Sequence, residues 1–239
     1  MSRRRSHAAA TLALGLLHGA ADALPVSSSG HMAAAEALLG TGAGDPVGLH
    51  AGSLAAVVVA FRGQALEVLR RLTWRRVGMH LAAGAIPAAA GYGLERRTAR
   101  LPVAPGMLAG AGLLLAAERR CGARSRWDAG VADGVWLGLA QAAALWPGVS
   151  RNGATLAAAR LLGFAPTEAN PLSREVGAPV TLGAVLLRRA PVDAGVAASF
   201  AGVLAALPLV RAVDRGGPLW PWAAERAAVA LVVLRSSRA

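Results

Sequence analysis

The sequence predicts an all-α polytopic membrane protein, built as an inverted-topology repeat with about six spanning helices and two re-entrant helix pairs. Three observations predict it. Of the 239 residues, 55% are hydrophobic and only 16% charged, with a mean hydropathy of +0.47; soluble domains carry about 25% charged residues. The apolar residues lie in long uncharged runs without alternation or amphipathic stripes. A polar, helix-breaking motif also occurs twice between such runs.

The charge-free runs are 46–61, 77–94, 101–117, 134–150 and 194–210. Each is a little short of the ~20 residues that span a bilayer. Flanking residues and snorkelling arginines complete them. A weaker final run, 218–234, is interrupted by Glu225 and Arg226. Runs 8–21, 23–35, 152–162 and 176–187 are shorter and suit half-helices or re-entrant hairpins. The whole chain, 1–239, reads as one integral membrane domain with pseudo-repeats at 8–118 and 130–235.

The formal net charge is +12, and every basic residue is Arg. The arginines cluster between apolar runs, at 3–5, 70–76, 96–100, 119–126, 188–189 and 235–238. Loops beside an anionic leaflet have this pattern. A nucleic-acid binder would gather them on one face with polar and aromatic partners, so no nucleic-acid partner is expected. Arg clusters fall on both sides of the expected spans and leave orientation open. Cys121 is the single cysteine, so no intrachain disulfide can form. The N-terminus has the look of a signal peptide, but cleavage near residues 20–23 would remove residues that the second half duplicates.

The first motif is Leu24-Pro25-Val26-Ser27-Ser28-Ser29-Gly30-His31, and the second is Trp146-Pro147-Gly148-Val149-Ser150-Arg151-Asn152-Gly153-Ala154-Thr155. One offset of 123 residues places Gly15-Leu16 on Gly138-Leu139, His18 on Gln141, Val26-Ser27 on Val149-Ser150, and Gly30 on Gly153. An odd number of full spans between the copies brings the second in from the opposite side, as in proteins whose sites form where broken helices meet.

One serine of the first motif could simply cap a helix. Three in succession before Gly30-His31 exceed what a cap requires. His31 either bonds a carbonyl or serves as an acid/base beside the hydroxyls. Arg151 is costly at this depth without an anion, and its planar fork suits phosphate oxygens. Gly148 and Gly153 admit close backbone approach, and a helix starting near Asn152 points its positive end at the same anion. His18 and Asp22, spaced i, i+4, share a helix face and either hold a divalent cation or bond each other. His50 is a weaker polar candidate, His7 and His80 have no supporting neighbours, and Glu168 and Glu175 read as loop residues or ion-pair partners of arginines.

Together the two motifs resemble the undecaprenyl-diphosphatase family, of the bacitracin-resistance type. The likeness extends through Gly138-Leu139-Ala140-Gln141, Leu161-Leu162-Gly163, Glu168-Ala169, Ser173 and Pro179, and covers roughly residues 10–235. The resemblance implies an integral, multi-pass enzyme of the bacterial inner membrane. Its substrate would be a polyprenyl diphosphate lipid, hydrolysed to the monophosphate to recycle the carrier for cell-wall synthesis. By position, Ser28 would be the nucleophile, His31 its acid/base partner, and Arg151 and Asp22 further catalytic groups. Ser27, Ser29, Ser150, Asn152, Gly153 and Thr155 would hold substrate. A divalent cation, Mg or Ca, would sit at Asp22 and His18. Membrane lipids are the expected surroundings, and a homodimer is compatible with the pattern.

The sequence departs from the family at several points. Two glutamates stand in the family where this chain has His18 and Asp22. Asn152 replaces a usual serine, His50 a frequent glutamine, and Arg174-Glu175 bring charge to an apolar stretch. Losing a carboxylate weakens a cation site or changes its ligand type. A lipid-phosphate flippase or a non-catalytic paralogue using the same phosphate site is the alternative.

Overall fold

Proline, glycine and serine punctuation divides the apolar chain into eleven α-helices among the described residues. The computed structural model describes residues 2–40, 46–98, 100–188 and 193–236, with side chains omitted at 2–7, 46, 95 and 96. The side chains of Arg3–Arg5, His7 and Arg96, together with Arg189 and Arg238, lie outside the described residues.

The helices are α1 (Ser2–Ala23), α2 (Ser28–Leu39), α3 (Pro46–Ala60), α4 (Arg62–Arg70), α5 (Trp74–Thr98), α6 (Val103–Glu118), α7 (Val131–Ala143), α8 (Arg151–Leu161), α9 (Pro166–Arg188), α10 (Ala194–Asp214) and α11 (Trp220–Ser236). No strand forms among the described residues, where the β-type pairing is an isolated bridge between Arg124 and Phe164. α10 is the helix among them that is long and apolar enough to cross a bilayer alone; α3 and α4 reach that measure together but bend by 73° at Phe61. α6 and the 8–23 part of α1 are apolar but shorter.

Two runs end differently from the sequence expectation. Run 134–150 yields only α7, because Trp146-Pro147-Gly148 turns the chain, with Gly148 at φ +95°. Run 176–187 is not a separate half-helix. It is the second half of α9, which continues through Pro171 and Pro179.

Small residues let the helices approach closely while large ones face outward. α1 packs along α10, and a Cβ at Gly19 would lie 2.9 Å from Ser199 Cα. α7 packs along α5, and a Cβ at Gly134 would lie 2.9 Å from Met79 Cα. α6 pairs with α11, α2 with α11, and α8 with α6, α7 and α9. One core gathers Met79, Leu114, Leu137, Leu156, Phe164 and Leu172; another, among α1, α3 and α10, gathers Leu24, Val26, Ala56, Val203 and Val210. Leu81, Tyr92, Leu186, Leu187, Leu209 and Leu231 face outward. Buried glycine and alanine beneath exposed leucine is the arrangement expected of helices packed in lipid.

The charged residues are more paired than loop arginines would be. Arg76 is buried and bonds Glu175, which also lies 3.1 Å from His80 Nε2. His80 therefore does have a supporting neighbour. Arg126 is buried between Glu67 (3.0 Å) and Glu168 (3.6 Å). Arg124 grips Asp133 with two bonds of 2.9 and 3.0 Å, and that carboxylate raises the guanidinium pKa above its ordinary value. These pairs knit the ends of α4, α5, α7 and α9, so Glu168 and Glu175 are ion-pair residues within α9.

Candidate active site

The two motifs meet. Ser27 caps α2, its Oγ accepting from Gly30 N (3.2 Å), and Ser150 caps α8 in the same way through Gly153 N (3.2 Å). Ser29 Oγ lies 3.1 Å from Ser27 Oγ and accepts from Gly148 N at 2.9 Å. Asn152 Nδ2 donates to Ala23 O (3.2 Å). Ser150 adopts φ +65°, which non-glycine residues rarely do and which often marks a functional site. The first turn of α8 meets the α1–α2 junction through the Asn152–Ala23 bond.

The motif residues divide between two sides of this contact. On one side, Asp22, Arg151, Asn152 and Thr155 line a small cavity of about 60 Å³ with Ser173 and Arg174. Waters occupy about 10–15 Å³ each by the same measure, so the space suits a few waters or a compact polar group. Thr155 Oγ1 bonds Ser173 Oγ, and Ser173 Oγ donates to Asn152 Oδ1 at 2.9 Å. Arg174 is held by Asp214 (2.7 and 2.8 Å) and Gln64 (3.1 Å) and stacks on Phe61. An apolar groove of about 520 Å³ shares Leu54, Val57, Phe61, Arg174 and Ala178 with the cavity.

On the other side, His31 Nδ1 donates to Ser27 O (2.8 Å), and its Nε2 lies 2.8 Å from Glu225 Oε1. Arg226 is fully buried and donates through Nη2 to Gly148 O (2.7 Å) and Val149 O. Its Nη1 would lie 2.7 Å from a Cβ at Gly153, and its Nε and Nη1 have no hydrogen-bond partner among the described residues. Ser28, half-buried, opens α2. Neither Ser28 nor His31 lines the Arg151 cavity.

His18 and Asp22 do not bond each other as one reading expected. Asp22 Oδ2 pairs with His50 Nδ1 at 3.1 Å, and His18 Nδ1 lies 3.4 Å from Ser199 Oγ. The two imidazoles meet edge-on, centroids 4.6 Å apart. His50 thus belongs to this cluster more firmly than its sequence position indicated. In sequence Glu225 and Arg226 look like interruptions of a span, and their cost at membrane depth is the signal that they need partners.

A sequence profile of the bacitracin resistance protein BacA family matches residues 11–232. The chain belongs to this family. It is 39% identical over 199 residues to an undecaprenyl-diphosphatase of Rubrobacter xylanophilus, covering 73% of each chain. It is 36% identical over 239 residues to one of Geobacter sulfurreducens, covering 84% of this chain and 88% of that one. As a BacA-family protein with an all-helical fold and an apolar exterior, it is a membrane protein, and the expected family resemblance is borne out.

Proposed function

We propose that this BacA-family protein hydrolyses undecaprenyl diphosphate to undecaprenyl phosphate and inorganic phosphate, as a multi-pass enzyme of the bacterial inner membrane. The observation that carries the reading is Arg151. It stands at the N-terminus of α8 and lines a polar cavity with Asp22, Asn152, Thr155 and Ser173. The guanidinium and the helix end both favour a phosphate there. The adjoining apolar groove takes the first prenyl units, because apolar walls leading from a polar anchor suit an amphiphile.

In the proposed reaction an oxygen nucleophile attacks the terminal phosphorus, the bridging P–O bond breaks, and undecaprenyl phosphate departs. The nucleophile is a water in the cavity, because Ser28 and His31 do not line it. Asp22, which does line it, takes the water's proton. Arg151 stabilises the charge gathering on the phosphoryl oxygens. Ser27, Ser29, Ser150, Asn152, Gly153 and Thr155 orient the phosphates and the loops around them.

The inverted repeat is part of this proposal, with the halves at 8–118 and 130–235 and about six crossings. The packing supports it: α1 lies on α10 as α7 lies on α5, and α2 lies on α11 as α8 lies on α6. The family resemblance implies a divalent cation, Mg or Ca, at Asp22 and His18. Mg and Ca take oxygen ligands, however, and the cluster of His18, Asp22 and His50 offers two imidazoles and one carboxylate. That donor set does not fit either ion.

The test is phosphate release from undecaprenyl diphosphate by the purified protein in detergent, with Mg, Ca, Mn or Zn added. Release well above background is expected. No release, combined with vectorial movement of the monophosphate in liposomes, would select the transporter alternative instead.

A further inference from the structure

The geometry points to a site for a borderline transition-metal dication, of the Zn class, formed by His18, Asp22 and His50. Each residue offers one ligand atom, and the three atoms lie within 4.8 Å of one another. One pair, Asp22 Oδ2 and His50 Nδ1, is 3.1 Å apart. Ligands bound at ~2.0–2.1 Å in a tetrahedral site sit about 3.3 Å apart, so this pair already has the spacing of neighbouring ligands. Bringing the third atom in from no more than 4.8 Å asks for a shift of up to about 1.5 Å, within the reach of side-chain rotation.

The surroundings fix the ligands. Ser199 Oγ donates its single proton to Leu49 O at 2.8 Å, so toward His18 Nδ1 it acts as acceptor. With Nδ1 facing Ser199 Oγ, Nε2 is the ring nitrogen left to meet an ion. Orientation of a ligating histidine by an outer hydrogen bond is a recurrent feature of metal sites. Ser53 Oγ, 3.2 Å from Ser199 Oγ, extends the outer layer. The helices that bear the ligands are held close to α10 by glycines: a Cβ at Gly15 would lie 2.6 Å from Gly195 O, and one at Gly52 would lie 3.0 Å from Val196 C. His18 is buried, while Asp22 reaches the Arg151 cavity. Three protein ligands leave a coordination position open, as catalytic Zn sites do.

Imidazole suits Zn, Fe, Ni and Cu, whereas Mg and Ca prefer oxygen donors. The site therefore selects a Zn-class ion over Mg and Ca. The inference rests on the phosphatase reading for the ion's purpose, but the binding claim is measured without turnover.

The experiment uses the full chain in detergent, stripped of metal by a chelator, in a Cys121→Ser background because the exposed thiol would compete for Zn. Zn and Co(II) binding are followed by calorimetry and by the visible d–d spectrum of Co(II), with Mg and Ca titrated in parallel. One Zn per chain is expected, bound at least about 100-fold more tightly than Mg or Ca. His18→Ala and His50→Ala should each weaken Zn by at least about tenfold, the scale seen when even outer-layer partners are lost. A His18→Glu/His50→Gln double variant should narrow the preference for Zn by at least tenfold. Equal or absent Zn and Mg binding by the parent would overturn the proposal even if the variants fail to fold, and so would unchanged Zn affinity in the folded variants. Phosphate release is assayed separately. A protein that binds Zn but hydrolyses nothing contradicts the phosphatase reading alone; one that hydrolyses without Zn selectivity contradicts the metal site alone.

Discussion

Ser150 shows how much one residue can hold in place. Its φ of +65° is costly for a side chain, on the order of 1–3 kcal/mol. Its Oγ meanwhile caps α8 through Gly153 N. Ser150→Ala keeps the strain and loses the cap, whereas Ser150→Gly relieves the strain and gives up only a few tenths of a kcal/mol of capping. The Gly variant should therefore be more stable than the Ala variant by about 1 kcal/mol or more, read by thermal unfolding in detergent; the reverse order would contradict the strained geometry. Arg226 anchors the same loop from behind through Gly148 O and Val149 O. Arg226→Met should destabilise the fold by about 1–3 kcal/mol through two unsatisfied carbonyls, measured in the same assay.

The paired motifs were legible in the sequence because hydroxyls, glycine and a lone arginine between apolar runs have few structural explanations. The division of their residues between two sides was not legible. It depends on the turn at Ala23–Ser27 and on α11, which brings Glu225 to His31 from 194 residues away. The role of His50 was hidden for the same reason, since its partner Asp22 lies on another helix.

Among the helices, the uncharged runs located α3, α5, α6 and α10 to within a few residues, because lipid-facing segments tolerate few charges. The same criterion cut α9 short. Arg174 and Glu175 ended the run in sequence, yet each is neutralised within the bundle, by Asp214 and by Arg76. Helix contacts make a sharper prediction. Gly19 of α1 faces the Ser199 backbone, so Gly19→Val should push α1 from α10 and abolish a monodisperse fold in size-exclusion chromatography. Gly112 of α6 has open space around its Cβ position. Gly112→Ala should leave the profile unchanged and raise stability by up to about 1 kcal/mol, the helix-propensity difference. Loss of fold in the second variant, or its retention in the first, would contradict the packing.

For the molecule as a whole, the arrangement places a polar cavity, a mixed His/Asp cluster and an apolar groove in one continuous region between α1, α3, α8 and α9. α1 and α3 bring the imidazoles, the carboxylate and Ser53, and α8 and α9 bring Arg151, Thr155 and Ser173. If that region is the phosphatase site, removing its cation must cost far more than removing a cation elsewhere. The most direct measurement compares kcat/KM for undecaprenyl diphosphate between the parent, Arg151→Ala and a control, Arg119→Ala, which alters an exposed arginine at the end of α6. Loss of a transition-state charge partner predicts a fall of roughly 10²–10³ for Arg151→Ala, with the control within about twofold of the parent. A correctly folded Arg151→Ala protein that turns over substrate at the parental rate would contradict the account.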